Sequence, residues 1–329
     1  MSRRLTLTLA VLVAALFMAS LLIGPAQVPV GASLRALVLG DGGPLTLVMR
    51  ALRLPRAVLG LLIGGGLGIA GAAMQAYLRN PLAEPGLLGV SGSAALGAVI
   101  ALQTGLAAAV TLALPLAGLA GAFAAVLALA LLAGPRGGSL TLILAGIGVS
   151  ALSGAGLALV LNLSPDPFAA SEIVFWMLGS LTDRSWSHVG LAAPFIVGGS
   201  ALLVTQGRAF AALTLGEDAA ASMGVDLNRL RWKVLVGVAA VVGAATAVAG
   251  AIGFVGLVVP HILRRAVGAR PADLLPASAL GGAALLLAAD IAVRVILPGR
   301  DLKLGVLLAI IGAPFFLHLI VRTRLAQQS

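Results

Sequence analysis

The sequence contains no cysteine, only three histidines, and only 10% Asp, Glu, Lys and Arg. Without thiols there are no disulfides and no thiolate metal sites, and histidines as scattered as His188, His261 and His318 argue against a metal centre. The shortage of charge excludes an ordinary soluble domain, in which about a quarter of the residues are charged. Apolar residues fill the chain instead: 60% of it is hydrophobic and the mean hydropathy is +1.12. This composition predicts an all-α, polytopic protein of the lipid bilayer, a single transmembrane domain over residues 1–329. The net charge of +10 does not point to nucleic acid, because the basic residues lie scattered between apolar runs and form no basic face.

Residues 5–24 follow Arg3 and Arg4 and are too long for a signal-peptide core, so a retained first span is expected. Residues 25–56, rich in Gly and Pro, are expected to form an external loop ending in Arg53-Leu-Pro-Arg56. The second span, 57–78, spaces Gly60, Gly64 and Gly68 every fourth residue, with Ala72 after them, a smooth stripe for close helix crossing. Gly66, Gly68 and Gly71 also fit the G-x-G-x-x-G dinucleotide pattern, but no strand precedes them. From Pro85 to Pro135 there are 51 residues without a charge, enough for two spans with a turn near Gln103 and Gly105. Arg136 closes the fourth span, and the fifth occupies 140–161 until Ser164-Pro-Asp-Pro167 breaks it. Residues 171–181, with Phe175 and Trp176, suit an interfacial helix. Spans at 189–204, 234–250, 276–296 and 304–321, together with a short or broken helix at 256–267, bring the count to about ten, with both termini on one side. Most lysines and arginines then fall on the N-terminal side, which the positive-inside rule makes cytoplasmic.

Residues 208–233 are the one long polar interruption in the second half of the chain. Glu217 and Asp218 stand where a helix dipole favours acids, alanines follow, and Gly224 comes after Met223 as a stop. A short amphipathic helix beginning at Gly216 is expected outside the membrane, offering a surface to a soluble partner. Within the ninth span, Asp290 and Arg294 lie four residues apart on one face and are expected to form an intramembrane ion pair. His261, after Pro260, reads as a packed residue rather than a ligand.

Four stretches carry a resemblance: Arg53-Leu-Pro-Arg56, Arg79-Asn-Pro-Leu-Ala-Glu-Pro-Gly-Leu-Leu-Gly-Val-Ser91, Gly253-Phe-Val-Gly-Leu-Val-Val-Pro-His261 and Ile311-Gly-Ala-Pro-Phe-Phe316. Over nearly its whole length the chain resembles the permease family of ATP-binding cassette importers for ferric siderophores, haem and vitamin B12. The resemblance implies ten-helix subunits with two structurally related halves, pairing into a homodimer around one pathway in the bacterial inner membrane. It implies two cytoplasmic ATPase subunits docking on Gly216, Glu217, Asp218, Met223 and Gly224, and a periplasmic substrate-binding protein docking on Arg53, Arg56 and Arg294. It places a cytoplasmic gate at Asn80, Leu82, Ser139 and Thr141, and makes the cargo a metal chelate, with no cofactor held by the chain. Independently of the resemblance, no G-x-x-x-x-G-K-[ST] occurs, so the chain is expected to be no enzyme and to leave ATP hydrolysis to a partner. Where members commonly carry Glu-Leu-Pro before the last helix, this chain reads Asp301-Leu-Lys303.

The positive balance of the expected outer segments favours an anionic cargo, haem or a ferric siderophore, over cobalamin. A secondary transporter is the rival reading, but it would call for several ionisable groups within the spans, where Asp290 is the lone acid. A membrane-embedded enzyme would need a nucleophile or a metal constellation, and the sequence offers neither.

Overall fold

Glycine and alanine at helical spacing let backbones in this chain approach to contact distance, and the architecture follows from where they do so. The computed structural model describes residues 1–24, 28–40, 42–110, 112–134, 139–164, 167–296 and 302–328. Among the described residues all regular structure is helical. Helix α1 (Arg3–Leu22) is followed by α2 (Val30–Val38) and α3 (Pro44–Leu47), which runs through a π-helical stretch, Val48–Arg53, into α4 (Leu54–Tyr77). A 3-10 turn at Pro85–Leu88 leads to α5 (Val90–Gln103), α6 (Leu106–Ala109), α7 (Ala113–Ala133) and α8 (Ser139–Asn162). Then come α9 (Pro167–Met177), α10 (Trp186–Val204), α11 (Gly207–Leu213), α12 (Glu217–Ser222), α13 (Leu227–Ala249), α14 (Val255–Arg264), α15 (Pro271–Ile296) and α16 (Leu304–Gln328).

Seven of these segments are long and apolar enough to cross a membrane: α1, Pro44–Tyr77, α7, α8, α10, α13 and α15. The shorter apolar helices α5, α14 and Leu304–Leu319 stand where the sequence placed the three remaining spans. One expectation needs correction. Residues 25–56 are not simply a loop, since α2, α3 and the π stretch occupy much of them. Pro55 has no N–H, and its ring would crowd a carbonyl one turn back in an α-helix; the wider π turn, closed by Leu54 N–H donating to Met49 O, carries the helix up to it. Within the charge-free stretch the third span begins at Val90, after Gly89 (φ 73°) turns the chain. The expected turn at Gln103–Gly105 is present, with Gly105 at φ 72°. Arg136, Pro165 and Asp166 lie outside the described residues.

Helices α4 and α13 are the centre, with 78% and 83% of their apolar windows buried, against 22% for both α1 and α8 at the periphery. The glycine stripe of α4 packs on α15: a Cβ on Gly64 would stand 2.4 Å from the Gly282 carbonyl oxygen, and one on Gly68 would stand 2.0 Å from that of Ser278. Only glycine permits such an approach. Helices α5 and α7 cross in the same manner, Gly97 against the Ala117 carbonyl and Gly121 against that of Ser93. Gly66 and Gly71, which complete the dinucleotide-like pattern, face Val241 of α13 and Gly256 of α14 inside the bundle.

Two ends of the bundle are defined by contacts. At the near end, the Met1 ammonium lies 2.5 Å from Asp273 at the start of α15, and Gly207 of α11 packs on Ala272. At the far end, the close of α1, the entry to α4 and the close of α15 come together.

Candidate functional site

Functional candidates gather at both ends. At the near end, residues 208–233 form α11, α12 and the first turns of α13. Helix α12 is as short as expected, Glu217–Ser222, entered through Gly216 (φ 109°). It closes in a Schellman motif: Gly224 N–H donates to Ala221 O at 2.9 Å and Val225 N–H to Ala220 O at 3.0 Å, with Gly224 at φ 85°. Asp226 then caps α13 by accepting from Arg229 N–H. Ala220 is the buried residue of α12, whereas Asp218, Leu215 and Met223 are exposed, the last two at 68% and 63%. Leu215 and Met223 thus place exposed large apolar side chains beside an exposed acid at this end of the bundle.

The turn after α4 stands beside α12. Arg79, held at φ 51°, extends toward Glu217, with 3.9 Å between charges and both side chains more than 40% exposed. Asn80 is exposed, and its Oδ1 accepts the Leu82 N–H at 2.9 Å, an Asx turn that fixes the Asn-Pro-Leu bend. Leu82 is half-buried. Thr141 is exposed on the first turn of α8, whereas the side chain of Ser139 lies outside the described residues. Helix α8 meets the same segment further on, where a Cβ on Gly89 would lie 2.8 Å from the Ser150 nitrogen.

At the far end three arginines turn inward. Arg56 Nε and Nη2 donate to the Asp290 carboxylate at 2.8 to 3.2 Å. Arg294 reaches the same carboxylate through Nη2, its Nε donates to Asp290 O at 3.0 Å, and its other donors serve Ser20 Oγ at 2.6 Å, Ser20 O at 2.9 Å and Ile23 O at 2.8 Å. Arg53 Nη1 donates to Leu21 O and Leu22 O, both at 3.0 Å. These two carbonyls are among those left open where α1 ends, so the Arg53 and Arg294 guanidiniums cap one helix while the Asp290 carboxylate is shared between Arg56 and Arg294. The intramembrane pair expected of Asp290 and Arg294 is present, and Arg56 makes it a triad. The expected docking trio is brought together, but on the inside: Arg53 and Arg294 are each 6% exposed, so their donors serve the chain's own atoms.

The FecCD transport family profile matches residues 12–322 of this chain. The chain belongs to the FecCD family. It is 38% identical over 277 residues to the hemin transport system permease protein HmuU of Yersinia pestis, covering 83% of each chain. It is 36% identical over 285 residues to the vitamin B12 import system permease protein BtuC of Vibrio vulnificus, covering 83% of this chain and 82% of the relative. A solved chain in an inward-facing conformation, assigned to the metal-chelate type of ABC transporter, superposes with a TM-score of 0.84 at 29% identity over 97% of this chain and 98% of its own. This FecCD chain is therefore a multi-pass permease subunit of the metal-chelate class of ABC importers.

Sequence reasoning overlooked several positions in this FecCD permease. Buried Gln75 donates to Gly256 O and Leu257 O at 3.4 and 3.2 Å and accepts from Arg264 at 2.5 Å, fastening α14 to α4. A lone amide in the apolar run 57–78 was the available signal. Glu84 and Phe254, within two of the quoted stretches, meet across the bundle. His261 packs edge-on to Phe315 with ring centroids 5.8 Å apart. Of the Asp301-Leu-Lys303 departure, Asp301 lies outside the described residues, and Lys303 stands 6.0 Å from the Phe175 ring centroid of α9.

Proposed function

We propose that this permease carries an iron chelate, haem or a ferric siderophore, inward across the plasma membrane, with cobalamin the competing cargo. Two copies enclose the pathway, a periplasmic binding protein delivers the cargo, and two soluble ATPase subunits supply the energy at the near end, which is cytoplasmic and carries both termini. The observation that carries the reading is α12. A six-residue helix closed at both ends by glycines in the left-handed half of backbone space, with exposed Leu215, Asp218 and Met223, is built for a partner. Its neighbour is Arg79, the residue before the turn that the family resemblance makes the gate.

On this reading Asn80 and Leu82 of both copies close the pathway, with Ser139 and Thr141 beside them. The inward-turned Arg53, Arg56 and Arg294 support the binding-protein face by holding the close of α1, the entry to α4 and the close of α15 in register. The relatives named for hemin and for vitamin B12 differ by little in identity, so they do not choose between those cargoes. The lean toward iron chelates comes from the positive outer segments, which favour haem propionates or a carboxylate siderophore. The test is ATP hydrolysis by the permease–ATPase complex in liposomes, presented with the cognate binding protein carrying hemin, a ferric carboxylate siderophore or cyanocobalamin. Stimulation by one of the two iron chelates supports the assignment. Stimulation by cyanocobalamin alone would replace it.

A further inference from the structure

Two segments enter the bundle without crossing it. Residues 79–89 leave α4 at the near end and turn through Pro85–Leu88 before α5 begins, while residues 250–254 leave α13 at the far end and stop where α14 begins. Ten residues of α14 span about 15 Å, half of a hydrocarbon core of about 30 Å. The start of α14 is level with the interior of α4: a Cβ on Gly71 would lie 1.9 Å from Gly256 O, and one on Gly256 would lie 3.0 Å from both Leu67 O and Pro85 Cδ.

The segments meet in one hydrogen bond. Phe254 N–H donates to Glu84 Oε1 at 2.7 Å, placing a carboxylate at the N-terminus of α14, where the helix dipole favours it. None of the ion pairs among the described residues involves Glu84. Phe254 sits at φ 68°, a left-handed conformation that a bulky side chain rarely adopts. Its ring is pressed against α16, since a Cβ on Gly312 would come within 2.3 Å of Phe254 Cγ. Such strain persists only where the surroundings over-determine it, and it collects at moving parts. A cavity of about 180 Å³ opens along the seam, with Glu84, Pro85 and Ser91 on one wall and Ile252, Gly253 and Gly256 on the other.

We propose that Glu84 and Phe254 are a positioning pair for transport. The hydrogen bond latches the 79–89 turn to the start of α14, so the two segments shift as one body, and the cavity is the space into which that body moves. The link to transport rests on the gate reading of Asn80 and Leu82; the latch does not.

The experiment is hydrogen–deuterium exchange on the full-length permease in lipid nanodiscs. Glu84→Ala should raise exchange about tenfold in peptides covering 79–89 and 250–258 together, with the α4–α15 crossing unchanged, and Glu84→Gln, which keeps an acceptor oxygen, should restore protection. Gly312→Ala, which displaces the Phe254 ring from the other side, should raise exchange in the same two segments and serves if Glu84→Ala fails to fold. Wild-type exchange in both segments, or a rise confined to the segment carrying the substitution, overturns the latch, and so does a Gln variant that behaves like Ala. A single cysteine in this cysteine-free chain, Leu82→Cys, reports the gate separately by its rate of labelling with a water-soluble thiol reagent. Labelling should accelerate about tenfold in the Glu84→Ala background. If exchange rises while labelling stays at the parental rate, the latch stands and the gate assignment falls.

Discussion

Asp290 and Arg56, 234 residues apart in sequence, are joined by three hydrogen bonds of 2.8 to 3.2 Å, and the same carboxylate also holds Arg294. One buried acid therefore pairs with two guanidiniums, and that of Arg294 also ties the close of α15 to the end of α1.

Asp290→Ala should cost about 3–5 kcal/mol, because it leaves buried Arg294 and partly buried Arg56 without a counter-charge. Arg56→Ala leaves Asp290 paired with Arg294 and should cost about 1–3 kcal/mol. Thermal unfolding of the detergent-purified variants measures both, and an Asp290→Ala protein as stable as the parent would show that the triad contributes nothing.

Charge reversal at Arg53 and Arg56 separates a structural role from a docking one. Arg53→Glu with Arg56→Glu should lower the melting temperature, since the Leu21 and Leu22 carbonyls lose their donor and Asp290 gains a like-charged neighbour. A variant with unchanged melting, but with weakened and less salt-dependent association with the binding protein, would move these arginines to the docking surface.

The crossing of α4 and α15 tolerates no added methyl group. Gly68→Ala drives a Cβ toward the Ser278 carbonyl, 2.0 Å away, and should destabilise by about 1–3 kcal/mol or more, whereas Gly198→Ala, with nothing within 4 Å, should be near neutral. Equal melting temperatures for the two variants would contradict the packing described.

The difference between these residues explains how much of the fold was legible. The Gly60–Gly68 stripe, the α12 stop at Gly224 and the Asp290–Arg294 pair are local patterns, each written within a few helical turns, and each is present in the structure. Arg56 on Asp290, Gln75 on α14 and Glu84 on Phe254 join residues far apart in the chain, and helical periodicity carries no information about such meetings. Helix α2 was obscured for another reason: its setting between Gly- and Pro-rich residues reads as loop, although Ser33 and Ala36 are buried on one side of it.

Coupling at α12 should be separable from stability. Glu217→Lys with Asp218→Lys removes the 3.9 Å contact with Arg79, an exposed pair worth about 0–1 kcal/mol at most, so melting should barely change. Transport should be lost while the permease stays folded. Transport at the parental rate in this variant would remove α12 from the energy-coupling surface.

Uptake into proteoliposomes tests whether this chain is a passive pathway driven by ATP hydrolysed on a partner. With permease, ATPase subunits, binding protein and internal ATP present, radiolabelled iron chelate should accumulate, and omitting the ATPase subunits or the nucleotide should abolish accumulation. Uptake of the same chelate by the permease alone, driven by an imposed proton or sodium gradient, would instead make the chain a secondary transporter.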